Sequence, residues 1–88
     1  MDTQHLQAFV AVAETGSFSG AGLRLHLTQP AISKRIATLE QQLDSPLFDR
    51  MGRSITLTQA GSALLPSAQQ ILQEVADAQR AITDLRGQ

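Results

Sequence analysis

The stretch Leu27-Thr28-Gln29-Pro30-Ala31-Ile32-Ser33-Lys34-Arg35-Ile36 decides the fold of this 88-residue chain. Thr28 suits an N-cap position, and Pro30 is tolerated in a first helical turn because the amide hydrogen it lacks would have no helical partner. Apolar residues then recur at spacings of 4, 3 and 4, which predicts an inward helix face made of Ile32, Ile36, Leu39 and Leu43. The row formed by Gln29, Ser33 and Ala37 is small or polar, so we expect it to face outward, with Asp44-Ser45-Pro46 ending the helix.

Two helices are predicted before this segment. The first runs from Thr3 to Thr15, with Asp2 or Thr3 as N-cap and Gly16 as terminator, because four apolar residues follow a helical spacing: Leu6, Phe9, Val10 and Ala13. The second is short and begins at Ser19 as N-cap. Gly20 and Gly22 each cost about 1 kcal/mol in a helix, so we interpret them as sites of close helix approach, with ordinary loop glycines as the alternative.

A β-hairpin and a long helix are predicted after it. The strings Leu47-Phe48-Asp49-Arg50 and Ser54-Ile55-Thr56-Leu57 indicate two strands around a turn that contains Gly52. Thr58 then caps the long helix, which we expect Pro66 to bend. The fold class is therefore mainly α: a winged helix-turn-helix of three helices and a two-stranded wing over residues 1–58, followed by a linker helix over 59–88.

The long helix carries an apolar seam with a 3.5-residue repeat. Its members are Leu64, Ala68, Ile71, Val75, Ala78, Ile82 and Leu85, and Leu65 and Leu72 lie beside it. The seam could pack on its own domain. However, a helix of about 28 residues extends about 40 Å, which is further than so small a core reaches. The pattern therefore favours a homodimer interface.

Composition limits the possible classes of function. The chain has 42% hydrophobic and 17% charged residues, which is enough apolar material for one small domain, and it has no cysteine for disulfides or thiolate metal sites. Its longest apolar run is too short to span a membrane, so we expect a cytoplasmic protein. The net charge of −1 argues against a non-specific nucleic-acid binder, but three cations without an acid lie between Arg24 and Arg35.

The order of elements predicts DNA reading. The major groove accepts one α-helix, whose exposed N-terminal turns reach the base edges. The residues placed to do so are Thr28, Gln29, Pro30, Ser33 and Lys34. Gln can pair with adenine, Lys can donate to guanine, and a proline ring can meet a thymine methyl. Lys34 and Arg35 point about 100° apart, so we assign only Lys34 to bases.

Four strings in order resemble the LysR-type transcriptional regulators, and the resemblance covers almost the whole chain. Residues 6–19 resemble the first helix and turn of that family, and residues 27–36, followed by Leu39-Glu40 and Leu43, resemble its recognition helix. Leu47-Phe48-Asp49-Arg50 resembles the first wing strand, and Leu57-Thr58-Gln59-Ala60-Gly61 resembles the entry to the linker helix. Gly22 departs from the pattern, since alanine is usual there.

The resemblance implies a bacterial homodimer with antiparallel linker helices that reads an interrupted inverted repeat in a promoter. It also implies higher oligomers in the full-length protein and a following domain that binds a small-molecule effector. The resemblance assigns base contacts to Gln29, Pro30, Ser33 and Lys34. Contacts with the DNA backbone or minor groove fall to Ser17, Thr28, Arg35, Arg50 and Arg53, with Arg53 at the wing tip.

Several alternatives stay open at the sequence level. Arg50 could instead form a surface ion pair with Asp49 or Asp44. The chain could be the winged helix of another regulator family, such as the molybdate-responsive type, or a dimerisation module that does not bind DNA. An enzyme is disfavoured because no catalytic or phosphate-loop string is present, and no cofactor is expected. His5 and His26 lack the spacing of metal ligands, so we expect no metal.

Overall fold

The order of elements agrees with the predicted fold class. A computed structural model describes residues 1–52 and 54–87, and its elements are α1 (Thr3–Thr15), α2 (Phe18–Leu25), α3 (Gln29–Leu43), β1 (Phe48–Asp49), β2 (Thr56–Leu57) and α4 (Gln59–Arg86). The strands form one antiparallel pair, with Phe48 opposite Leu57 and Asp49 opposite Thr56. The mainly helical winged helix-turn-helix with a long C-terminal helix is therefore confirmed.

The helix ends are set by local capping. Asp2 caps α1 by accepting a hydrogen bond from the Gln4 amide at 2.7 Å, and Gly16 ends the helix in the left-handed region at φ 73°. The predicted cap of α2 at Ser19 is wrong. Ser17 is extended and its Oγ accepts from the Gly20 amide at 2.6 Å, so the helix starts earlier and Ser19 lies inside it.

The core is built around α1, which contacts all three other helices. Leu6, Phe9 and Val12 are buried there against the inner face of α3. The Phe48 ring from the wing lies 5.4 Å from that of Phe9 and 6.1 Å from that of Phe18, so one aromatic cluster joins α1, α2 and the hairpin.

The inner face of α3 is shorter than the sequence predicts. Ile32, Ile36 and Leu39 are fully buried, but Leu43 is exposed because it is the last residue of α3, where the chain leaves the helix at Asp44. Asp44 takes the left-handed conformation at φ 52°, and its amide donates back to the Gln41 carbonyl. Three of the four predicted inward residues are therefore confirmed.

The strands of the wing are also shorter than predicted, with two residues each. The backbone of Leu47 is bonded to helical neighbours instead of a partner strand. Its amide donates to Glu40 Oε2 at 2.7 Å, and its carbonyl accepts from the Thr58 amide at 3.0 Å. The hairpin is thereby fixed to the end of α3 and to the start of α4.

Gly61 allows α4 to begin directly against the wing. It is buried, and a Cβ built there would overlap the Leu47 carbonyl oxygen and lie 2.9 Å from Leu57 Cδ2. Further along, Leu64, Leu65, Ile71 and Leu72 pack against the core. The first half of α4 is therefore part of the same folded body as α1 to α3.

Candidate nucleic-acid interface

The N-terminal turns of α3 form an open, mostly polar surface, which we call the reading face: Gln29, Pro30, Ser33 and Lys34. Ser33 is half-buried and the other three are exposed. Thr28 caps the helix by accepting from the Ala31 amide at 3.3 Å. The structure thus brings together the four residues predicted to contact bases, and their contact with DNA stays a prediction.

Helix α2 holds one residue of the reading face in place. Ser19 Oγ donates a hydrogen bond to Gln29 Oε1 at 3.2 Å. The Gln29 amide nitrogen has no hydrogen-bond acceptor within residues 1–52 and 54–87, so it can donate to an external acceptor. Sequence reasoning missed this role of Ser19 because the two residues are ten apart and no local pattern joins them.

The turn between α2 and α3 is closed by Gly22 and His26. A Cβ at Gly22 would lie 2.6 Å from the Leu27 carbonyl oxygen, and the Leu27 amide donates to the Gly22 carbonyl at 2.9 Å. His26 ends α2 in the left-handed region at φ 58°. Gly22 therefore does mark a close approach, but to the backbone of the turn and not, as predicted, to a neighbouring helix. Gly20 instead faces the side chains of Thr15 and Ser17.

Two of the residues predicted to contact phosphate are helix caps. The Oγ atoms of Ser17 and Thr28 accept hydrogen bonds from backbone amides of α2 and α3. Each hydroxyl still carries a proton that it can donate to a phosphate oxygen. Capping and phosphate contact are thus compatible at both residues, and the phosphate contacts stay predictions.

Arg50 does not form the surface ion pair that the sequence left open. Neither of the two ion pairs found in the described part of the chain includes Arg50, Asp49 or Asp44. The guanidinium carbon of Arg50 instead lies 4.4 Å from the centre of the Phe18 ring. This contact orients an exposed cation beside α2. Arg53, the predicted wing-tip contact, lies outside the described residues.

The segment from Arg24 to Arg35, which has three cations and no acid, contains fewer unpaired cations than its sequence suggests. Arg24 Nη1 lies 2.6 Å from Glu14 Oε1, and Glu14 Oε2 accepts from Gln69 Nε2 at 3.0 Å. The hydrogen bond from Arg24, followed by that from Gln69, holds the pKa of Glu14 below its ordinary value of 4.5. Glu14 therefore neutralises Arg24, whereas Lys34 and Arg35 form no ion pair within the described ranges.

The seam of α4 divides into two parts. Ala68 is fully buried within this chain, and Leu64 and Ile71 pack against its core. Ala68 therefore has no exposed surface within one chain, and its place in a dimer interface stays a prediction. The remaining seam is open: the exposed fraction of the residue rises from 39% at Val75 to 53% at Ile82 and 72% at Leu85.

Other kinds of site find little support in the described residues. All three phenylalanines are buried, so these rings offer no surface on which single-stranded bases could stack. Within residues 1–52 and 54–87, no group of three or more His, Cys, Asp or Glu side chains could hold a metal ion. None of the helices described is long and apolar enough to cross a membrane.

Comparisons with known proteins point to one family. Residues 3–62 match the family described as bacterial regulatory helix-turn-helix protein, lysR family. An uncharacterized HTH-type transcriptional regulator from the ibpB-leuC intergenic region of Azotobacter vinelandii is 64% identical over 87 residues, which are 99% of this chain and 60% of that protein. The regulator CbbR of Rhodospirillum rubrum is 46% identical over 84 residues, which are 96% of this chain and 28% of CbbR. The chain spans only part of the length of both relatives.

Two solved structures that contain DNA are similar over nearly the whole chain. The BenM_DBD/catB site 1 DNA complex has a TM-score of 0.90 and 32% identity, covering 97% of this chain and 96% of that one. The CbnR_DBD-DNA complex has a TM-score of 0.81 and 40% identity, covering 94% of this chain and 99% of that one.

Proposed function

Because this chain belongs to the LysR family of bacterial regulatory helix-turn-helix proteins, we propose that it binds promoter DNA with its reading face in the major groove. The observation that carries this proposal is the exposed N-terminal end of α3. The opposite side of the helix is buried in the core, so the polar side chains of the reading face have a rigid support. The likeness to two domains in complexes with DNA supports DNA binding by this fold. The curated relatives are transcriptional regulators, which supports a regulatory role over an enzymatic one.

The side chains divide into base readers and phosphate contacts. Lys34 donates to guanine, Gln29 and Ser33 read polar base edges, and Pro30 offers an apolar surface to a thymine methyl. Ser17 and Thr28 donate their hydroxyl protons to phosphates, and Arg35, Arg50 and Arg53 add positive charge to the backbone or minor-groove contact. Promoter DNA of bacteria lies in the cytoplasm, so this function places the protein there.

We further infer a homodimer through the exposed part of the α4 seam. A single reading face makes few base contacts, whereas specific complexes are typically ~10³ to 10⁷ tighter than non-specific ones. Two copies joined through Val75, Ala78, Ile82 and Leu85 would read an interrupted inverted repeat. In the whole protein, an effector-binding domain and higher oligomers would add regulation.

Selection from a library of random DNA duplexes tests the function. We expect an enriched two-fold inverted repeat, and a pool without an enriched sequence would favour a dimerisation module that does not bind DNA. In the enriched site, Lys34→Ala should cost about 1 to 3 kcal/mol and relax one base pair in each half-site. Arg50→Ala is the matched control, because loss of a phosphate contact should weaken all sequences alike. Equal losses on specific and unrelated duplexes for Lys34→Ala would refute its base-reading role.

A further inference from the structure

Glu14 joins two helices to α1 with the two oxygens of one carboxylate. Oε1 accepts from Arg24 Nη1, near the end of α2, at 2.6 Å, and Oε2 accepts from Gln69 Nε2 on α4 at 3.0 Å. We call this arrangement the Glu14 tie. The pKa of Glu14 is lowered by the same two hydrogen bonds, which is the effect expected when both donors stabilise the charged form.

The Glu14 tie differs from the other contacts of α4. Past its N-cap, the helix makes a side-chain hydrogen bond to another element only at Gln69, within the ranges 1–52 and 54–87. The neighbouring Ala68 is buried, so apolar packing fixes where this turn of α4 sits on α1. A directional bond beside that apolar contact restrains the angle at which the rest of the helix leaves the core.

We propose that Glu14 is a positioning residue that sets the direction of α4 relative to the reading face, and thereby the separation of half-sites that a dimer accepts. This inference rests on the proposed DNA-binding function. Glu14, Arg24 and Gln69 are all exposed, so the tie should add only a little to stability, and its main effect is a restraint on orientation.

Because α4 is long, a small change in its angle at Gln69 produces a large displacement of its C-terminal end. Leu85 lies 16 residues beyond Gln69, which corresponds to about 24 Å of helix. A rotation of about 10° at Gln69 would move the Leu85 end by about 4 Å, which is roughly one base-pair step of DNA. Two reading helices must meet major grooves about 34 Å apart, so an error of this size changes the preferred spacing.

The test compares half-site spacing with half-site affinity. Duplexes would carry two copies of the selected half-site at centre-to-centre separations that increase one base pair at a time, and a second set would carry one copy. The variants are Glu14→Gln and Gln69→Ala. A glutamine at 14 has an NH2 group in place of one carboxylate oxygen, and because this group donates hydrogen bonds and cannot accept them, one of the two bonds of the tie loses its acceptor atom. Gln7→Ala on α1 and Gln70→Ala on α4 are matched controls, since both glutamines are exposed and neither forms a side-chain hydrogen bond within the structure described.

We expect both tie variants to reduce the preference for the best separation over its neighbours by about two- to fivefold, the scale of an exposed ion pair with its hydrogen bonds. Affinity for a single half-site should change by less than about twofold, and both controls should retain the wild-type profile. An unchanged spacing profile in both tie variants would overturn the inference, as would an equal loss on single half-sites. If Glu14→Gln does not fold, Gln69→Ala decides alone.

Failure of the proposed function would look different. In that case the wild-type chain would enrich no sequence at all from random duplexes. A wild-type chain with a sharp spacing preference that survives in both tie variants would refute only the role of Glu14.

Discussion

Replacement of Gly61 by alanine tests how α4 is seated on the wing. The new Cβ would overlap the Leu47 carbonyl oxygen, which is backbone and cannot swing aside. Separating the two segments strains the bond from the Thr58 amide to Leu47 at 3.0 Å and that from Thr58 Oγ1 to the Pro46 carbonyl at 2.7 Å. Overpacking typically costs about 1 to 3 kcal/mol and a lost hydrogen bond about 1 kcal/mol.

Helix propensity acts in the opposite direction. Alanine in place of a helical glycine stabilises by about 1 kcal/mol, so without the close contact Gly61→Ala would raise stability. We expect the backbone contact to prevail, with a net destabilisation of about 2 kcal/mol. For a domain of this size, that lowers the melting temperature by roughly 8 to 16 °C.

Thermal unfolding followed by circular dichroism measures the shift. Gly87→Ala is the matched control, because a Cβ at Gly87 would lie 3.5 Å from its nearest neighbour, an ordinary contact. The control should melt within a few degrees of the wild type. A melting temperature for Gly61→Ala equal to or above that of the wild type would mean that Leu47 and α4 can move apart without loss of stability, and would refute this reasoning.

Three further outcomes are expected. Ile82→Asp combined with Leu85→Asp should produce a monomer that binds the full two-fold site poorly, and a dimer in sedimentation would show that the exposed seam is not the interface. The pKa of Glu14 is lowered in the folded state, so charged Glu14 stabilises the fold above about pH 4.5, and this stabilisation is lost as the pH falls through the folded pKa. The unfolding midpoints of wild type and Glu14→Gln should therefore differ at pH 7 and converge in acid. Ser19→Ala should weaken discrimination at the base pair read by Gln29 without changing the melting temperature by more than a few degrees, and an unchanged selected sequence would contradict this.

Features that depend on local pattern could be predicted from the sequence. Helix α1 has the predicted bounds, because an amphipathic stripe lies between a good cap at Asp2 and a terminating Gly16. Helix α3 begins after Thr28 and ends before Asp44, its C-cap, for equally local reasons. The error at α2 arose because Ser17 and Ser19 are both good caps, and the choice depends on the backbone after Gly16, which α1 sets.

Features that depend on distant contacts could not be predicted. Glu14 and Gln69 are 55 residues apart, and no periodicity of the sequence joins them. The seam of α4 has one uniform repeat, yet Ala68 is buried and Leu85 is exposed, because only the packing of α4 on α1 decides where the core ends. The stacking of Arg50 on Phe18 likewise needs the position of the wing.

The division of α4 into an anchored part and an exposed part also makes the helix sensitive to changes of length. One residue inserted between Leu72 and Val75 would leave the packed half in place but turn the exposed seam by about 100° around the helix axis. Seven inserted residues would restore the direction of the seam and move it outward by about 10 Å. In the proposed homodimer, the chain length of this short segment would therefore set both the direction and the distance of the partner, independently of the residues proposed to contact DNA.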